Sequence, residues 1–142
     1  MATQVIGCAG AIVMFALALL HLYWAIGGRW GSAVAVPSRE DRPLFSPGPL
    51  ATLIVAALLL TASLVMMGRL GVWRTLLPQW FFAAGAWIIA VVFTARVIGD
   101  FRWFGLFKRT SDSSFARWDS RLYVPLCAAL AIAAALTAIA GP

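Results

Sequence analysis

Acidic residues are scarce in this chain: 5 Asp and Glu among 142 residues, beside 11 Lys and Arg. Histidine occurs once, at His21, and cysteine twice, at Cys8 and Cys127. The cysteines lack C-x-x-C spacing and have no neighbours at metal-ligand spacing, which argues against a dithiol redox centre and a zinc site. One histidine is too few for an internal bis-histidine haem. No metal and no cofactor is expected. Charged residues make up only 11% of the chain and hydrophobic residues 63%, with a mean hydropathy of +0.92. Soluble domains are nearer a quarter charged, so an ordinary water-soluble fold is excluded, and so is disorder.

What the chain has instead is four long apolar runs, over residues 5–26, 50–67, 79–98 and 122–140. Each is long enough to cross a bilayer core of about 30 Å, and none contains an acidic residue. Glycine and proline separate them: Gly27, Gly28 and Gly31 follow the first run, Pro43, Pro47 and Pro49 precede the second, and Pro78 opens the third. Trp24, Trp30, Trp73, Trp80, Trp103 and Trp118 lie near the borders, as in the aromatic belt of a membrane protein, and only Trp87 falls mid-run. These features predict an all-α, four-helix transmembrane bundle, one integral membrane domain over residues 1–142. The N-terminal run lacks a basic leader and a cleavage site, so it is expected to be a retained span.

The basic residues set an orientation. Arg29, Arg39, Arg42, Arg102, Lys108, Arg109, Arg117 and Arg121 lie in the connections after the first and third runs, against Arg69 and Arg74 on the opposite side. The positive-inside rule then predicts a multi-pass protein of the cell inner (plasma) membrane, with cytoplasmic basic connections and both termini outside. The expected partner of these charges is the lipid bilayer, not nucleic acid. Residues 101–120 mix Phe101, Trp103, Phe104, Phe107, Phe115 and Trp118 with basic side chains around a polar tip at 110–114. They predict an interfacial segment between helices three and four. Helix four is rich in alanine, which suits close packing at the centre of the bundle or in a homodimer.

Ionisable groups inside spans are costly and call for an explanation. At ~1.5 Å per residue, His21, Arg96 and Tyr123 each fall roughly 10 Å from the midpoint of their run, toward the same side. Asp100 and Asp119 lie at the ends of the third run and the start of the fourth. A shared polar layer of His21, Arg96, Asp100, Asp119 and Tyr123 is therefore expected. In it His21 and Asp119 are the candidate acid–base pair, with Trp24, Arg96, Asp100, Arg121 and Tyr123 as candidate ligand-binding residues. Arg96 and Asp100 are four apart and are expected to pair, while Asp119 is free to meet Arg96 or His21. The competing reading is structural: counter-ions and hydrogen bonds that stitch the helices together. A weak internal repeat relates I-G-G-R-W-G at 26–31 to I-G-D-F-R-W-F-G at 98–105.

Three stretches carry a family resemblance: H-L-Y-W-A-I-G-G at 21–28, A-R-V-I-G-D-F-R-W-F-G at 95–105, and F-A-R-W-D-S-R-L-Y-V-P-L-C at 115–127. They resemble an uncharacterised family of small bacterial integral membrane proteins, catalogued as a domain of unknown function with about four spans. The resemblance implies the fold and supplies no substrate, cofactor or reaction. Small multidrug exporters need a carboxylate in the first span, and quinone-linked thiol oxidoreductases need a C-x-x-C; both are absent. Three readings follow: a structural or partner-binding membrane component, a pocket for a lipid-like molecule with or without acid–base chemistry at His21, and a small dimeric transporter.

Overall fold

The computed structural model describes residues 1–39, 42–73, 76–109 and 113–140, without the side chains of Arg39 and Arg42. The elements are α1 (Ala2–Ala25), α2 (Ser32–Ala35), β1 (Ser38–Arg39), β2 (Arg42–Pro43), α3 (Pro49–Arg69), α4 (Gln79–Ile98), α5 (Ser114–Trp118), a π-helical turn (Asp119–Tyr123) and α6 (Val124–Ala140). Four helical stretches are long and apolar enough to span a membrane, the last running without a break over Ser114–Ala140. At 24 residues, α1 is about 36 Å long, which matches the hydrocarbon core with its borders. Local chemistry sets the ends. Pro49 opens α3, where its missing N–H costs nothing, and Gly27 and Gly99 leave α1 and α4 at φ +100 and +86.

Two boundaries differ from expectation. The fourth span starts at Ser114 and not near Leu122, so the last third of the expected interfacial segment is a helical extension; the ring of Phe115 and the carboxylate of Asp119 are both buried in it. The polar tip expected at 110–114 lies largely outside the described residues. β1 and β2 pair antiparallel, Ser38 opposite Pro43 and Arg39 opposite Arg42, a two-residue ladder that no alternation in the sequence signals. The π turn has a cause in Pro125. Without an N–H it cannot close the regular bond to residue 121, and the backbone widens so that the Val124 N–H reaches the Asp119 carbonyl.

α1 packs on α3 and α4 on α6, and contacts of α1 with α6 and α3 with α4 close the ring. Sequence neighbours are antiparallel, giving an up-down-up-down bundle. Its centre holds Met14, Met66, Ala86 and Ala134, all fully buried. Small residues bring the helices close: a Cβ on Gly10 would stand 3.2 Å from that of Ala133. The alanines of α6 are used the same way, with Ala131, Ala133, Ala134 and Ala138 buried inside the bundle. The Ser63 hydroxyl donates to the Ala11 carbonyl at 2.8 Å and ties α3 to α1. Ile12, Leu58, Val91, Val92, Ile132 and Ile139 stay exposed around the outside. Such a belt is stable only against acyl chains, and the chain is a multi-pass membrane protein.

At the end that carries both termini, Arg69 is buried, and its Nη2 donates to the Ala138 carbonyl at 3.0 Å, one of the last acceptors of α6. At the same end Gly68 lies against the ring of Phe82, which a Cβ there would overlap. Gly68→Ala is therefore expected to force α3 and α4 apart and cost about 1–3 kcal/mol. Gly48→Ala, in open space, should be neutral. Thermal unfolding in detergent micelles checks the contrast.

Candidate functional site

Asp119 opens the π turn with no exposed surface. Its Oδ1 accepts from Arg96 Nη2 at 2.7 Å, and its Oδ2 accepts from Lys108 Nζ at 3.0 Å and from the Gly105 N–H at 2.9 Å. Lys108 Nζ also donates to the Gly105 carbonyl at 3.2 Å and to Ser120 Oγ at 2.6 Å. The Arg96 guanidinium lies over the Phe104 ring, 4.5 Å from its centroid. Two cations thus share one carboxylate, leaving a net positive charge, and the Nη1 of Arg96 is buried without a hydrogen-bond partner among the described residues.

A tight loop delivers these groups. Gly99 at φ +86 and Gly105 at φ +90 touch each other, and a Cβ on Gly99 would overlap the Phe104 carbonyl. Asp100 Oδ1 accepts from the N–H groups of Arg102 (3.0 Å), Trp103 (2.7 Å) and Phe104 (3.1 Å), folding the chain back over the end of α4. Desolvation works against the charged carboxylate, but the amides of Trp103, Arg102 and Phe104 outweigh it and hold the Asp100 carboxyl below its ordinary value. Phe101, at φ +62, takes the strain of this turn. The expected Arg96–Asp100 pair is absent, because Gly99 ends the helix between them and the four-residue spacing no longer puts them on one face. Arg96 takes Asp119 instead.

His21 stands apart from this cluster. α1 and α4 occupy opposite corners of the ring, so equal depth does not bring His21 to Arg96, and the Asp119 oxygens are taken up by Arg96, Lys108 and Gly105. Its Nδ1 lies 2.8 Å from the Leu17 carbonyl. A carbonyl can only accept, so Nδ1 carries a proton, and Nε2 has no partner among the described residues. The Trp24 ring meets the imidazole edge-on at 5.0 Å. Both line a cavity of about 530 Å³ between α1, α2, the segment before α3 and the first turns of α3, walled by Val36, Pro43, Phe45, Pro47 and Val55 among others.

Tyr123 links the two regions. Its hydroxyl donates to the Val34 carbonyl at 3.1 Å, and its ring packs on Phe115 at 6.1 Å. α2, which roofs the cavity, is thereby fastened to the start of the fourth span. Arg121 is exposed and makes no ion pair among the described residues. The expected layer of five groups is therefore three separate arrangements: Arg96 with Asp119, Asp100 with its own loop, and His21 in the cavity, with Tyr123 between. Lys108 and Gly105 escaped the sequence reading. The recurrence of Gly105 in the 26–31 and 98–105 repeat was the one signal available, since Gly31 also turns with positive φ.

Asp119→Asn would leave Arg96 and Lys108 facing a neutral amide. The expected cost is roughly 3 kcal/mol, at the low end for a broken buried pair because Arg96 is partly exposed. His21→Gln should stay within about 1 kcal/mol of the parent, since it removes one bond to a carbonyl that α1 already uses. Equal losses in thermal unfolding would contradict this division between a structural cluster and a separate cavity.

No curated protein and no solved structure matches the chain. One family's sequence pattern matches residues 14–134, from the middle of α1 into α6, and includes His21, Arg96, Lys108, Asp119 and Tyr123. The chain belongs to that family, described as a protein of unknown function (DUF3995).

Proposed function

We propose that this protein binds a lipid-like small molecule in the cavity between α1 and α3, on the cytoplasmic side of the plasma membrane, with both termini outside. The observation that carries the reading is His21. It is the one histidine of the chain, it lies within a span, and it lines a mostly apolar cavity with Nε2 unengaged among the described residues. Intramembrane ionisable groups are retained where they contact something polar, and Arg96 and Asp119 already meet each other. A volume of about 530 Å³ is within the range of small-molecule sites. The orientation is supported by the eight basic residues at the cavity end of the bundle against two at the other.

Binding is favoured over acid–base catalysis for a specific reason. A catalytic His21 would gain from a carboxylate at Nδ1, and that nitrogen is held by the Leu17 carbonyl. Asp119 has two cations and an amide on its oxygens, and Asp100 has three amides on one of its own. The reading is tested by native mass spectrometry of protein released from nanodiscs. Wild type is expected to retain a lipid-like molecule, Val55→Trp to lose it by filling the cavity, and Leu58→Trp, on the lipid-facing side, to keep it. Retention unchanged by Val55→Trp, or none in wild type, would overturn the proposal.

A further inference from the structure

We propose that the ligand of this cavity is an uncharged amphiphile carrying a hydroxyl, recognised because it donates a hydrogen bond to His21 Nε2. The inference rests on the binding reading above and adds to it the chemistry of the polar end. Four polar side chains of the wall have their donors committed internally. His21 Nδ1 is held by the Leu17 carbonyl at 2.8 Å, and the Trp24 indole N–H donates to the Trp30 carbonyl at 2.8 Å. Ser32 Oγ donates to the Arg29 carbonyl at 2.8 Å, and Thr52 Oγ1 to the Gly48 carbonyl at 3.1 Å. A hydroxyl has one proton and two lone pairs, so Ser32 and Thr52 present acceptors only, and so does Nε2 in the neutral form of His21. Ser46, exposed at the mouth, is the lining side chain whose donor is not committed in this way.

An ether or ester oxygen would face these lone pairs with nothing to donate, and a carboxylate would face them with added negative charge. A quaternary or protonated amine finds no carboxylate among the described lining residues and meets the most basic end of the molecule. A hydroxyl fits both requirements. It brings a proton for Nε2 and adds no charge. The walls of Trp24, Val36, Phe45, Pro47 and Val55 suit the attached hydrocarbon.

The test is competition against a diazirine-bearing long-chain alcohol, with its adducts mapped by mass spectrometry on protein in nanodiscs. The competitors are hexadecan-1-ol, its methyl ether and palmitate. We expect adducts within residues 43–55, alcohol competing about tenfold more strongly than ether, and palmitate no better than ether. In His21→Phe, which keeps the apolar contacts and removes the acceptor, the alcohol should lose its advantage while ether competition stays unchanged. Cavity adducts competed equally by alcohol and ether, or best by palmitate, would overturn the hydroxyl assignment and leave the cavity reading standing. Adducts confined to other surfaces would overturn both. The wild-type comparison decides the matter even if His21→Phe fails to fold.

Discussion

A carboxylate with no exposed surface at the edge of a membrane bundle cannot stay ionised without cations held against it. Asp119 meets that requirement by drawing Arg96 from α4, Lys108 from the following loop and the Gly105 amide onto one turn of the fourth span. The consequences run outward. Lys108 can arrive only if the chain reverses sharply after α4, which requires Gly99, Gly105 and the Asp100 cap. Asp119 can point inward only because Pro125 widens the helix below it. The π turn also sets Tyr123 beside α2, so the roof of the cavity depends on the same turn that buries the charge.

The two helical hairpins solve one problem in two ways. Both α1 and α4 exit through glycines of positive φ, at Gly27 and Gly31 and at Gly99 and Gly105. After α4 the loop closes on itself over Asp100 and is locked by ions. After α1 the connection runs on through α2 and the β1–β2 pair before α3, and the space it covers is the cavity that His21 lines. One end of the bundle thus holds an ion-paired corner beside a roomier, mostly apolar one. Our proposal puts binding at the second because His21 Nε2 there is unengaged among the described residues.

Hydropathy and length made the four spans legible, since crossing a bilayer demands about 20 apolar residues whatever the sequence detail. The mutual arrangement of the polar groups was not legible. Height along a helix follows from residue count, but direction follows from which helices pack together, and His21 and Arg96 fell on diagonal corners. The Arg96–Asp100 spacing was misleading because a glycine ended the helix between them. Lys108 was hidden among other loop cations, as nothing in its neighbours marks it as the one that folds inward. Arg69 was counted with the loops, whereas α3 carries it into the bundle, against the end of α6.

The central claim is that Asp119, Arg96 and Lys108 act as one coupled unit that holds the loop end of the bundle together. A double-mutant cycle on Asp119→Asn and Lys108→Met, read by thermal unfolding in nanodiscs, measures that coupling most directly. If the unit is coupled, removing Lys108 in the Asp119→Asn background relieves an unpaired cation, and the double variant is more stable than the two single losses add up to by at least about 1 kcal/mol. Additive losses would contradict the account.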